Sequence, residues 1–84
     1  MKMKTEKIVT VTENSYLLTS QAGQLVKVAN SYGSKIGIVY GEYTLNAKSL
    51  LGMLMLKVSV GDKITITAEG DDGNDAVEAL AKLI

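Results

Sequence analysis

Apolar and polar residues alternate along this chain with two different periods, and each period marks a kind of element. In "KIVTVT", Val9 and Val11 alternate with Thr10 and Thr12, the two-residue repeat of a strand with one buried face; this predicts a first strand over residues 6 to 12. In "TSQAGQLVKVANSYG", Ala22, Leu25, Val26 and Ala29 fall at i, i+3, i+4 and i+7, which predicts an amphipathic helix with Thr19 or Ser20 as its cap and Gly33 as its stop. "KIGIVYGEYTL" sets Ile36, Ile38 and Tyr40 on one face and follows them with Gly41-Glu42, a glycine-first pair suited to a two-residue hairpin turn. "DKITITAEG" alternates Ile64, Ile66 and Ala68 with Thr65, Thr67 and Glu69, giving a fourth strand. "DDGNDAVEALAKLI" opens with Asp71, Asp72 and Asp75, where capping and the helix dipole favour acids, and offers Ala76, Val77, Leu80, Leu83 and Ile84 for burial.

One stretch fits neither period cleanly. "NAKSLLGMLML", residues 46 to 56, puts six large apolar residues and a glycine behind Ser49. By periodicity alone the run is open between a buried strand, a core helix and a sticky surface helix. The neighbouring elements narrow the choice: four strands with one apolar face need a single cover, so the run supplies a short middle helix with Ser49 as its N-cap. The element order is then βαββαβα. The expected fold is α+β, an open-faced β-sandwich in which a four-stranded antiparallel sheet is covered on one face by three helices, with residues 1–84 forming one domain. A helix of two turns cannot turn Leu50, Leu51, Met53, Leu54, Met55 and Leu56 all inward, so part of this set is expected at the surface.

Composition removes whole classes of chemistry. A chain of 84 residues buries only about 60% of its unfolded surface, so the core is small. There is no cysteine and no histidine, which excludes disulfides, thiolate zinc sites and thiol nucleophiles, and removes the usual imidazole metal ligand and the usual general base near neutral pH. Nine lysines balance nine acids and arginine is absent, so no basic footprint for direct nucleic-acid binding and no guanidinium clamp for phosphate is present. The basic start "MKMKTEKIVTV" holds too short an apolar run for a signal core or a membrane span, so a cytoplasmic protein without membrane contact is expected. Lys2, Lys4 and Lys7 read as solvated. "DDGND" resembles half of a calcium loop but lacks the spacing to a distal glutamate, and helix capping is the preferred reading. No metal and no cofactor are expected, and the protein is not expected to be an enzyme.

The βαββαβα order, the segment "NAKSLLGMLML" and the ending "GDKITITAEGDDGNDAVEAL" together resemble HPr, the small phosphocarrier family of the bacterial sugar phosphotransferase system. The match runs without gaps from about Glu6 to Leu83, and the middle segment is its specific part. The resemblance implies a regulatory phosphorylation site at Ser49 and a docking surface for partner proteins at Leu50, Leu51 and Leu54, with Leu17, Leu18 and Gln21 as further partner contacts. The family's phosphate-accepting histidine, followed by Ala, Arg and Pro, aligns with "YLLTSQAGQ": Leu18 stands at the histidine position, Thr19 follows, Ser20 occupies the arginine position and Gln21 the proline position. Leucine cannot form a phosphoramidate, so carrier chemistry on histidine is lost. The Crh branch of the family also lacks this histidine, keeps the serine and works in catabolite repression, although it retains the Ala-Arg-Pro that is missing here.

Two functions follow from the resemblance. In the first, the chain is a non-catalytic, Crh-like regulatory protein, switched at Ser49 by an HPr kinase/phosphorylase-like kinase and read by a transcription regulator or a metabolic enzyme. In the second, it is a constitutive binding or assembly module on a retired HPr scaffold, with no phosphorylation. Each has a plain structural counterpart: Ser49 as a helix cap only, the leucines as ordinary core, and Leu18 as an apolar plug. In both functions the protein acts as a monomer or a weak dimer.

Overall fold

A computed structural model describes residues 4–11, 22–51 and 61–84. Its elements are β1 (Lys4–Thr10), α1 (Ala22–Asn30), β2 (Lys35–Tyr40), β3 (Tyr43–Asn46), β4 (Lys63–Glu69) and α2 (Gly73–Ala81). The four strands form one sheet in the order β1-β4-β2-β3, every pair antiparallel. The fold is therefore the α+β open sheet that the periodicity predicts. Of the three expected helices, α2 is described throughout and α1 from Ala22 onward, its expected cap, Thr19 or Ser20, lying outside the described residues; Leu50 and Leu51 are helical, and the remainder of the expected middle helix also lies outside them.

Strand parity places the core. Ile38 pairs with Ile66, Ile36 with Ala68 and Val9 with Ile64, so the centre of one face of the sheet is aliphatic. Onto that face α1 lowers Leu25 and Ala29, and α2 lowers Ala76, Val77 and Leu80, all of them buried. Each fully buried Ile or Leu contributes about 1.5–3 kcal/mol of transfer free energy, the driving force for this single-sided packing. The opposite face carries Ile8, exposed, with Thr65 opposite it on β4 and Val39 on the next strand. Among the described residues, no helix is long and apolar enough to cross a membrane.

Several boundaries differ from those the sequence suggests. The first strand is Lys4–Thr10, two residues earlier than expected, because β4 sets the register: Lys4 pairs with Glu69 and Thr10 with Lys63. Val11 lies just beyond it, buried; its N–H donates to Asp62 O (2.8 Å) and its carbonyl accepts from Gly61 N (2.9 Å). Thr12 is outside the described residues. Helix α1 ends at Asn30, before Gly33. Side chains close it: the Asn30 amide donates to Val26 O (2.9 Å) and the Ser31 hydroxyl to Val28 O (2.6 Å). Leu83 and Ile84 are half-buried instead of buried, since α2 stops at Ala81 and they sit in the turns that follow. Lys7, read as solvated, bonds Glu78 of α2 at 2.9 Å, and Lys4 lies 3.7 Å from Glu6; exposed pairs of this kind are worth about 0–1 kcal/mol.

The glycine-first turn is present. Gly41 has φ +60°, no non-glycine residue in the described set has positive φ, and Tyr40 pairs directly with Tyr43 across it. That combination is the two-residue hairpin geometry with positive φ at the first turn position.

Candidate functional site

Ser49 sits where the β2–β3 hairpin hands over to a helix, and the hand-over is built from short-range polar bonds. Asn46 closes β3; its side-chain oxygen accepts from Lys48 N (2.9 Å) and its backbone carbonyl accepts from Ser49 N (3.0 Å), a tight turn of the type that asparagine initiates. Ala47 inside this turn is fully buried and donates to Ile36 O (3.0 Å), so the turn is pinned to the sheet. Ser49 follows, half-buried, immediately before helical Leu50 and Leu51, which is the N-cap position.

The crowding anticipated for this helix is visible at its start: Leu50 is 48% and Leu51 72% exposed. Leu54, the third residue of the expected docking surface, lies outside the described residues, as do Leu17, Leu18, Ser20 and Gln21. Ser49, Leu50 and Leu51 are therefore the members of the sequence-derived set that the structure brings together. Side by side they offer a hydroxyl that can accept a phosphoryl group and an apolar pair that a partner can cover.

Two residues that sequence reasoning missed support this site. The Asn30 amide at the end of α1 donates to Lys48 O (3.2 Å), and the Lys48 ammonium donates to Tyr32 O (2.7 Å), just beyond the helix. A cation there meets the negative end of the helix dipole. Asn46, which starts the turn, carries a readable local signal, an asparagine two residues before the amide it accepts from, whereas Asn30 and Lys48 meet across the fold and leave no local pattern.

The acidic opening of α2 behaves differently from the expected cap. Asp72 occupies the N-cap position but makes no side-chain cap bond. Its carboxylate instead reaches across to the loop leading into β2, accepting from Gly33 N (2.8 Å), Ser34 N (2.9 Å) and the Ser34 hydroxyl. Three donors from that loop outcompete the helix's own first turn. Chiefly the Ser34 hydroxyl, then the Gly33 amide, hold the Asp72 carboxyl below its usual value. On the hairpin, the Tyr40 phenol donates to Asp62 (2.6 Å), and this bond, with some burial and the negative charge of Asp62, pushes the phenol above 10. Both acids thus serve as structural acceptors. Among the described residues, no group of three or more His, Cys, Asp or Glu is placed to hold a metal ion.

Known proteins place this architecture. The family described as "PTS HPr component phosphorylation site" matches residues 5–84. The phosphocarrier protein NPr of Shewanella violacea is 35% identical over 81 residues, covering 96% of this chain and 89% of its own. Among solved structures, the phosphocarrier protein HPr of Bacillus anthracis superposes with a TM-score of 0.86 at 37% identity, covering 96% of both chains. The catabolite repression protein Crh of Bacillus subtilis, described as a domain-swapped dimer, superposes with a TM-score of 0.72 at 34% identity, covering 77% of this chain and 75% of its own. Matched along almost its whole length by sequence and by backbone alike, the chain belongs to the HPr family of the phosphotransferase system.

Proposed function

We propose that this chain is a non-catalytic regulatory member of the HPr family, a single HPr-like unit working in the cytoplasm by docking to other proteins, with Ser49 as its phosphate acceptor. The observation that carries the proposal is the pairing of two facts: the sequence holds no histidine, and a serine stands directly before two exposed leucines at a helix start. Without an imidazole the family's phosphohistidine cannot form, and Leu18 at that position leaves no substitute acceptor. A kinase of the HPr kinase/phosphorylase type would transfer the γ-phosphoryl group of ATP to Ser49 Oγ, releasing ADP and the hydroxyl proton.

The modification adds about −1.5 to −2 charges where a helix N-terminus stabilises them, so the fold tolerates it while the neighbouring apolar surface changes character. A partner covering Leu50 and Leu51 with apolar or acidic surface is disfavoured by that charge, and one offering Lys or Arg at its edge is favoured. The similarity to Crh supports a role in catabolite repression, with a transcription regulator or a metabolic enzyme as the reader.

The test is incubation with an HPr serine kinase and ATP followed by intact mass measurement, with Ser49→Ala as the control. A single added phosphate, absent in the control, is expected, and a partner captured with the unmodified protein should change affinity for the phosphoprotein. Equal affinity would identify the constitutive docking module instead. Acid-labile phosphate acquired from phosphoenolpyruvate and enzyme I would overturn the proposal outright.

A further inference from the structure

We infer that Asn30 and Lys48 are positioning residues for Ser49: they latch the turn that carries its hydroxyl to the end of α1, so that a kinase meets the serine in one fixed pose. The inference rests on the reading of Ser49 as a phosphate acceptor and deepens it.

The Lys48–Ser49 peptide unit is the part being held. Its carbonyl accepts from the Asn30 amide (3.2 Å) and its N–H donates to Asn46 O (3.0 Å), so both polar ends of this plane are tied, one to the helix and one to the strand. With the plane tied at both ends, the Ser49 N–Cα bond is fixed in direction, and φ of Ser49 is the one backbone rotation left between that plane and its side chain. The preceding amide, Lys48 N, is tied to the Asn46 side chain (2.9 Å), and the Lys48 ammonium returns to Tyr32 O (2.7 Å). The turn and the helix end therefore hold each other in both directions, each giving a donor to a carbonyl of the other.

Asn30 is suited to this use because its amide carries two hydrogens and both have partners, Val26 O within α1 and Lys48 O across the gap. Its side chain is exposed, so removing it strands no buried polar atom; what is lost is the latch, while the core under α1, made by Leu25 and Ala29, is untouched. The latch thereby controls how often the acceptor turn sits in the pose a kinase can use, and a substrate that is competent only part of the time binds with an apparent affinity reduced by that fraction.

The experiment uses Asn30→Asp, which keeps shape but turns a carboxylate toward two carbonyls, and Asn30→Ala, which removes the group. With an HPr serine kinase and ATP, both variants should raise KM for the protein substrate about 3- to 10-fold, the range that one or two exposed hydrogen bonds convert to, with kcat unchanged. In the unmodified protein, hydrogen exchange at the Ser49 amide should accelerate while exchange at Ile66 on central β4 stays at the wild-type rate. Wild-type KM together with an unchanged Ser49 amide overturns the inference. If the wild-type chain takes no phosphate at all, the acceptor reading fails, and the Ser49 amide alone then decides the latch: acceleration supports it and an unchanged rate removes it. A variant whose Ile66 amide also exchanges fast has lost the fold, and the other substitution carries the comparison.

Discussion

Replacing Gly70 by alanine should be among the most damaging single-methyl changes this fold can receive. Gly70 has φ +150°, a conformation that L side chains rarely adopt, and it lies between β4 and α2 with Ser34 against it. A Cβ built there overlaps the Ser34 hydroxyl and stands 2.9 Å from Ser34 Cα and 3.0 Å from Ser34 Cβ. The hydroxyl can rotate, but the other two atoms move only with the backbone, and that backbone is held by Asp72. Backbone strain of this kind costs about 1–3 kcal/mol and overpacking about 1–3 kcal/mol more. The expected loss is about 2–6 kcal/mol, against a total stability of about 4–13 kcal/mol for a domain of this size. Thermal unfolding followed by circular dichroism reads it directly, since about 4–8 °C of Tm accompanies each kcal/mol in so small a domain, and a fall of at least ~8 °C is expected. A fall under ~3 °C would instead mean that the Gly70–Ser34 contact opens at little cost.

Three further outcomes follow from separate features. Gly23→Ala should stabilise the protein by about 0.5–1 kcal/mol in urea melts, because the position is exposed within α1, nothing lies within 4 Å of the added methyl, and alanine orders more cheaply in a helix. Asp72→Asn should lower Tm at neutral pH by an amount that shrinks on acidification: the folded carboxyl titrates below its unfolded value, so its contribution is complete above about pH 4 and is lost as the pH falls through the folded value. A wild-type-to-variant gap that stays constant into strong acid would contradict this. Tyr40→Phe should remove a phenol that titrates above 10 in ultraviolet difference spectra; the raised value means that Tyr40 contributes stability below pH 10 and loses it as pH rises through the folded value, so the two proteins should converge in Tm in alkali.

The sheet was readable where burial follows strict alternation, as in Ile64, Ile66 and Ala68 or Ile36 and Ile38, since a two-residue period with one wet face belongs to a half-buried strand and to no helix. At β1 the expected start is two residues late, because Lys4 and Thr5 give no apolar signal and the strand is prolonged by its partner's register. Asp72 looked like a cap because sequence shows only neighbours; the Ser34 and Gly33 donors that claim it arrive through the tertiary fold. In the candidate site, the exposure of Leu50 and Leu51 was legible from the number of large side chains that an expected helix of two turns would have to turn inward. The latch from Asn30 and Lys48 was not, for both are ordinary polar residues until α1 and the Asn46–Ser49 turn are brought together.

The strand order carries a consequence for how the chain acquires its shape. β4 pairs with both β1 and β2, yet it comes after both in the chain. During synthesis the β2–β3 hairpin can close as soon as Tyr43 to Asn46 emerge, but β1 has no partner until Lys63 to Glu69 emerge, and until then Ile38 has no Ile66 to meet. The join between the two ends of the sheet is thus the last strand made, and every contact across it closes a long loop, which slows folding relative to a protein of the same size built from local pairs. A nascent chain stopped before Lys63 would have only marginal local structure, a hairpin and a nine-residue helix with no sheet to pack on, and a first strand whose unpaired edges invite association with other chains. Arrival of one seven-residue strand converts those separate pieces into a sheet, so commitment to the fold should be abrupt and late in translation.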